Sequence, residues 1–242
     1  MKKFALVCGA SGAIGEAICH ELAADGWSLY LHYSNGEERI NQLYEKLILS
    51  YPQHEFFKVR GDFLQNDCAQ LMAQQIFSLH AIVFANGQAL YELLDDTSQQ
   101  QMSELWKVHV ETPMLLCKTL APKLRHHPTS YVLFISSIWG EVGASGEVVY
   151  SAVKGAQNSF VKAYAQEVAL SKINVNAIAP GIIETTMNSH LSDMEHQEIL
   201  EQIPLQRYGK PIEVAQLASY LLSGKADYMT GQILRLNGGW YI

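Results

Sequence analysis

The stretch VCGASGAIGEAI, Val7 to Ile18, joins a short apolar run to a helical pattern through glycines at 9, 12 and 15. Glycine lets a chain turn sharply out of a strand and brings the backbone close to a bound group that a Cβ would hold away. With a strand before and a helix after, the free N–H groups and the positive helix end favour a phosphate, so the stretch reads as the pyrophosphate loop of a dinucleotide site. Its spacing is G-x-x-G-x-x-G rather than the commoner G-x-G-x-x-G. Gly9, Ser11, Gly12, Ile14 and Gly15 are the expected contacts.

Outward from this loop the same alternation recurs. The β-like runs FALVCGA, WSLYLHY, HEFFKVR, HAIVFAN, SYVLFIS, INVNAIAP and GQILRLN are separated by helical patterns near 12–25, 37–50, 67–77, 99–125, 149–170 and 211–222. Strands that are apolar throughout and alternate with helices indicate a parallel sheet covered on both faces. The expected architecture is a three-layer, doubly wound α/β Rossmann fold with a seven-stranded, mostly parallel sheet, forming one domain over residues 1–242. Ligands of such folds sit beyond the carboxyl ends of the strands.

Composition narrows the partners. A formal charge of −7 and a pI near 5.7 argue against nucleic acid, which needs a basic face. No apolar stretch approaches the roughly 20 residues that span a bilayer, and the glycines from 9 to 15 interrupt the opening apolar run too early for a signal peptide. Cys8, Cys19, Cys68 and Cys117 show neither CxxC spacing nor metal-ligand grouping with the nine histidines. They read as reduced thiols of a soluble, cytoplasmic protein without a metal.

The strand ends carry the rest of the cofactor site. The second ends LHYSNGEER, where Tyr33, Ser34 and Asn35 stand in place of the carboxylate that would accept from a ribose 2′-OH, so a 2′-phosphate is not repelled and NADP(H) is preferred over NAD(H). Arg39, one turn later, is either a helper for that phosphate or a solvated helix charge. After the third strand, Asp62 and Phe63 fall where an adenine would lie; Asp62 either accepts from the adenine amine or caps the following helix. The small residues Ala85, Asn86 and Gly87 close the fourth strand and let the cofactor lie against the backbone.

In VVYSAVKGAQ, Tyr150 and Lys154 lie four residues apart and so project from one helical face. Ser137 ends the fifth strand, 13 residues before Tyr150. With NVNAIAPGIIETTM (174–187) and YMTGQILRLNGGW (228–240), this spacing resembles the short-chain dehydrogenases/reductases, most closely the 3-oxoacyl-[acyl-carrier-protein] reductase type. The resemblance implies Tyr150 as proton donor to a carbonyl oxygen, Ser137 as its hydrogen-bond partner, and Lys154 as the group that lowers the phenol pKa and binds the nicotinamide ribose. It places Pro180, Gly181, Ile183 and Thr185 around the nicotinamide amide, and a substrate lid at about 184–203. It implies a homotetramer, with the helices near 99–125 and 149–170 at one interface and the last strand at another.

The chain also departs from the family. Glycine expected at the position of Ala13 is displaced to Gly12, and Asn-Asn-Ala-Gly after the fourth strand becomes FANG. In ELWKVHVETPMLL, His109 stands where the family commonly places an asparagine that anchors a water feeding protons to the lysine. His109 either holds that water, titrating near neutral pH, or is a helix histidine without a catalytic role. Lys162, Lys172, Arg125 and His126 form no basic cluster for an acidic carrier protein. The implied activity is NADPH-dependent reduction of a 3-oxoacyl thioester, carried by acyl carrier protein or CoA, in fatty acid biosynthesis. The alternatives are a reductase or dehydrogenase of another small ketone, sugar or alcohol, and a nucleotide-binding sensor without turnover.

Overall fold

The computed structural model describes residues 2–185 and 192–242. Among them lies one seven-stranded sheet in the order β3-β2-β1-β4-β5-β6-β7. Its strands are β1 (Lys3–Cys8), β2 (Trp27–Tyr33), β3 (Phe56–Arg60), β4 (Ala81–Phe84), β5 (Ser130–Ile135), β6 (Ile173–Pro180) and β7 (Ile233–Leu236). Each of the six pairings is parallel, with Ala5 opposite both Leu29 and Ala81 in the centre.

Successive strand residues point to opposite faces, and each face builds its own core. Ala5, Val7, Leu29, Leu31, Val83 and Leu133 meet α1 (Ala13–Ala24), α2 (Glu37–Ser50) and α9 (Pro211–Leu222). Phe4, Leu6, Tyr30, Ile82, Phe84 and Phe134 meet α3 (Cys68–Gln75), α5 (Thr112–Leu124) and α7 (Val148–Val168). A strand buried on both sides has few positions for polar side chains, which explains the mostly apolar runs. The order reverses between β1 and β4, so the loops after these two strands open a crevice at the carboxyl edge.

The helix expected over 99–125 is three pieces: α4 (Gln99–Trp106), a π-helical turn (Lys107–Glu111) and α5. Pro113 has no N–H to give the carbonyl four residues earlier, which is that of His109, and its ring crowds that carbonyl. The chain widens by one residue, and Thr112 N–H reaches back to the Lys107 carbonyl. Two further helices lie at the carboxyl edge: α6 (Trp139–Val142) and α8 (Asp193–Gln202). Ser192 opens α8 with a reciprocal capping pair to Glu195.

Candidate active site

At the switch point, Gly9 has a φ of +78°, and a Cβ there would lie 2.7 Å from the Asn86 backbone. A Cβ at Gly15 would lie 2.1 Å from the Gly9 carbonyl oxygen. These two glycines therefore set how closely β1, α1 and the loop after β4 approach. Gly12 is the N-cap of α1 without a side-chain cap, which leaves the first-turn N–H groups facing the crevice.

His32, which no motif singles out, fastens this loop. Its Nδ1 accepts from Gly9 N–H at 3.1 Å, and its Nε2–H donates to the Gly61 carbonyl at 3.0 Å. Burial lowers its pKa to about 4, so the ring stays in the neutral form that this pair of bonds requires. One imidazole thus ties the ends of β1, β2 and β3.

Around it lies a cavity of about 670 Å³ lined by Gly9, Ser11, Tyr33, Ser34, Asn35, Asp62 and Phe63, together with Glu37, Glu38 and Arg39. Glu37 and Glu38 put two carboxylates on the wall beside Arg39. Asp62 accepts from Leu64 N–H at 3.0 Å and from the Gln65 side chain, whereas the N-cap position of α3 belongs to Asp67. Asp62 therefore shapes the turn after β3 instead of capping the helix.

A second cavity, of about 520 Å³, continues from the first past the shared Gly12, Ala85, Asn86 and Gly87. Into it face Ile14, Ser137, Tyr150, Lys154, Pro180, Gly181, Ile183 and Thr185. The wall also includes Tyr91, Trp139 and Glu147, with Ile199 from the expected lid and Trp240 from the end of YMTGQILRLNGGW. Trp139 and Trp240 meet edge to face with centroids 5.2 Å apart, so the C-terminal GGWYI segment folds against the site. The expected lid falls partly on 186–191, outside the described residues; of its remainder, α8 brings Ile199 to the cavity.

Lys154 is buried, and its Nζ donates to the Ile135 carbonyl at 2.9 Å and to Gln157 Oε1 at 3.2 Å. Nζ lies 5.6 Å from the centre of the Tyr150 ring. Tyr150 hydrogen-bonds Ser137, whose Oγ also accepts from Trp139 N–H at 3.2 Å. Ser137, Tyr150 and Lys154 are thus brought together as expected. Their acidities differ from expectation. Burial, then the nearby Glu147 and Tyr91, push the Tyr150 phenol up, while the bond to Ser137 pulls it down. Burial lowers Lys154 to about 7, so the amine is only partly charged at neutral pH. Burial raises Glu147 to about 7, against a bond from Trp139.

His109 does not titrate near neutral pH. Burial first, and Lys154 second, hold it at about 3. Its Nε2 donates to the Gln88 carbonyl at 2.9 Å and Nδ1 has no partner, while the ring sits 5.6 Å from that of Tyr150. The His109 carbonyl, freed by Pro113, accepts from Gln157 Nε2 at 2.6 Å, and Gln157 in turn accepts from Lys154.

The two joined cavities suit an extended dinucleotide: a helix start without a cap at the middle, a Cβ-free approach at Gly9, and a buried Asn86 Oδ1 without a partner beside it. The enoyl-(acyl carrier protein) reductase family matches residues 9–241. The uncharacterized oxidoreductase YmfI of Bacillus subtilis is 40% identical over the full length of both chains. A 3-oxoacyl-[acyl-carrier-protein] reductase, FabG, of Staphylococcus aureus is 30% identical over 100% of this chain and 99% of its own. The crystal structure of a short-chain dehydrogenase/reductase from Brucella melitensis superposes with a TM-score of 0.91 at 28% identity, covering both chains completely. A correspondence that runs from the glycine loop to the C-terminus, in sequence and in fold alike, makes this chain a member of the short-chain dehydrogenase/reductase family, an oxidoreductase that binds a nicotinamide cofactor.

Proposed function

We propose that the protein is an NADPH-dependent reductase of 3-oxoacyl thioesters. The observation that carries this reading is the convergence of Ser137, Tyr150 and Lys154 on one cavity continuous with the glycine loop. When bound, the reduced nicotinamide supplies hydride to the ketone carbon. Gly9, Gly12 and Gly15 hold the pyrophosphate, and Tyr33, Ser34 and Asn35 receive the adenosine ribose, with Arg39 beside them. Pro180, Gly181, Ile183 and Thr185 hold the amide end. Tyr150 gives its proton to the ketone oxygen as negative charge grows there, Ser137 donates to the same oxygen, and Lys154 stabilises the phenolate that remains. Ile182, Ile199 and the two tryptophans provide an apolar wall for an acyl chain.

The 30% identity to FabG supports the 3-oxoacyl substrate, and four buried thiols without a disulfide support a cytoplasmic protein. Exposed Leu93, Leu94, Trp106 and Met114 near α4 and α5, and the half-buried β7, support assembly into a tetramer. No helix among the described residues is long and apolar enough to cross a membrane. The test is oxidation of NADPH and of NADH with an acetoacetyl thioester. The expected result is consumption with at least a tenfold preference for NADPH, about 1.4 kcal/mol of discrimination. An inert protein that still binds NADPH would overturn the substrate assignment.

A second reading, reduction of another small ketone, is favoured by Glu147 in the wall, which would pair with a hydroxyl or cationic substituent. A ketone panel separates the two readings. Whichever ketone serves, Glu147 is neutral below about pH 7 and anionic above it. The anion raises the Tyr150 pKa and weakens it as an acid, so reduction slows as pH climbs through this window. Glu147→Gln should remove that contribution and leave a rate at pH 8 roughly three- to tenfold above wild type, read from kcat/KM between pH 5.5 and 9.

A further inference from the structure

The family feature that feeds protons to the lysine is a water; here a side chain stands between the same two groups. Gln157 Nε2 donates to the His109 carbonyl at 2.6 Å, and Gln157 Oε1 accepts from Lys154 Nζ at 3.2 Å. All three residues are buried, Gln157 at 2% exposure and Lys154 at 3%. The orientation of the amide is determined at both ends. A carbonyl only accepts and an amine in this position donates, so a flipped amide would set oxygen against oxygen and NH₂ against the amine. The carbonyl is available because Pro113 cannot bond it, and the Gln157 side chain projects beside that of Lys154 because the two are three residues apart on α7.

We propose that Gln157 is a positioning residue that holds Lys154 against the His109 carbonyl in place of a bridging water, and so closes that side of the lysine to solvent. A carboxamide in its ordinary tautomer donates at nitrogen and accepts at oxygen but does not pass a proton between them, as a water does. Nζ is held by the Ile135 carbonyl and Gln157, so its remaining N–H position is the one left to face the cavity and Tyr150. Lys154 therefore exchanges protons through the cavity. The proposal rests on reading Tyr150 and Lys154 as the reacting pair, but not on which ketone is reduced.

The test uses the full chain with isotopically labelled lysine, the Lys154 signal being identified by its loss in Lys154→Met. The titratable groups facing Lys154 are Tyr150 on its own helix and His109 on the π-helical turn, both neutral near pH 7. Two variants are compared with wild type for the NMR titration midpoint of Lys154 and for exchange of its Nζ protons with water at acid pH. Gln157→Met fills the space without an amide, and the midpoint should fall by about one pH unit, since the ammonium loses an acceptor. Gln157→Ala leaves a polar-lined gap that a water can fill, so its midpoint should stay near wild type while Nζ exchange quickens at least about tenfold. With an acetoacetyl thioester, or a ketone the protein reduces, kcat should fall further in Gln157→Met than in Gln157→Ala, with KM little changed. A merely space-filling role predicts the reverse order. An unchanged midpoint in Gln157→Met, or unchanged exchange in Gln157→Ala, would overturn the proposal; the exchange measurement decides even if the methionine variant fails to fold, and neither spectrum needs a ketone.

Discussion

Tyr150→Phe should bind NADPH as wild type does and reduce the ketone some hundred- to ten-thousandfold more slowly, the usual range for loss of a positioned proton donor. The substitution deletes one oxygen from a ring whose position is supported by His109 at 5.6 Å and by the Lys154 amine at the same distance. Nothing in that support depends on the hydroxyl, so the structure should hold and kcat alone should collapse. Fluorescence titration with NADPH beside steady-state kinetics checks both halves. Retention of a tenth or more of the wild-type kcat would show that the proton comes from elsewhere, and Ser137 would be the next group to test.

The second large effect is expected at Gly9. Gly9→Val forces a β-branched residue to a φ of +78° and drives its Cβ to 2.7 Å from the backbone of Asn86. Backbone strain of this kind costs about 1–3 kcal/mol. The collision must also part β1 from the loop after β4. NADPH affinity should drop roughly thirtyfold or more, and the melting temperature should fall without cofactor as well as with it. Gly12→Ala is the informative contrast. Its φ is −88°, and its Cβ would meet only the Gly9 carbonyl oxygen at 3.4 Å. That variant should keep its thermal stability and lose affinity, because the added methyl obstructs the pyrophosphate rather than the fold. Thermal shift with and without NADPH distinguishes the two outcomes, and equal destabilisation by both substitutions would contradict this account.

Much of this was legible along the chain because parallel α/β folds write their topology locally. Two-sided burial leaves apolar runs, and β2 and α9 lie where their patterns place them. The glycine loop and the Ser137, Tyr150, Lys154 spacing were readable for the same reason: each depends on residues near one another in sequence. Contacts between distant elements were not. His32 matters because Gly9 and Gly61 converge on it, and Glu147 matters because burial brings its ionisation near neutral pH. The break between α4 and α5 did have a local signal in Pro113, but tracing its effect to the His109 carbonyl requires counting four residues back. Gln157 and Asn158 also left a trace, as two adjacent amides on the buried face of α7; Asn158 Oδ1 accepts from Ser136 Oγ at 2.7 Å. Their partners became visible only in three dimensions.

The wholly parallel sheet has a kinetic consequence. No strand can meet its neighbour through a tight hairpin, so every pairing must first close a long loop, and such topologies fold slowly. The pairing of β1 with β4 sets Ala5 beside Ala81, across all of α1, β2, α2, β3 and α3. Gly9 and Asn86 face each other over that seam and come together only when it closes. An N-terminal fragment ending before β4 would carry the whole glycine motif and still lack half the crevice, so nucleotide affinity appears late in folding and can be used to time the docking of the two halves.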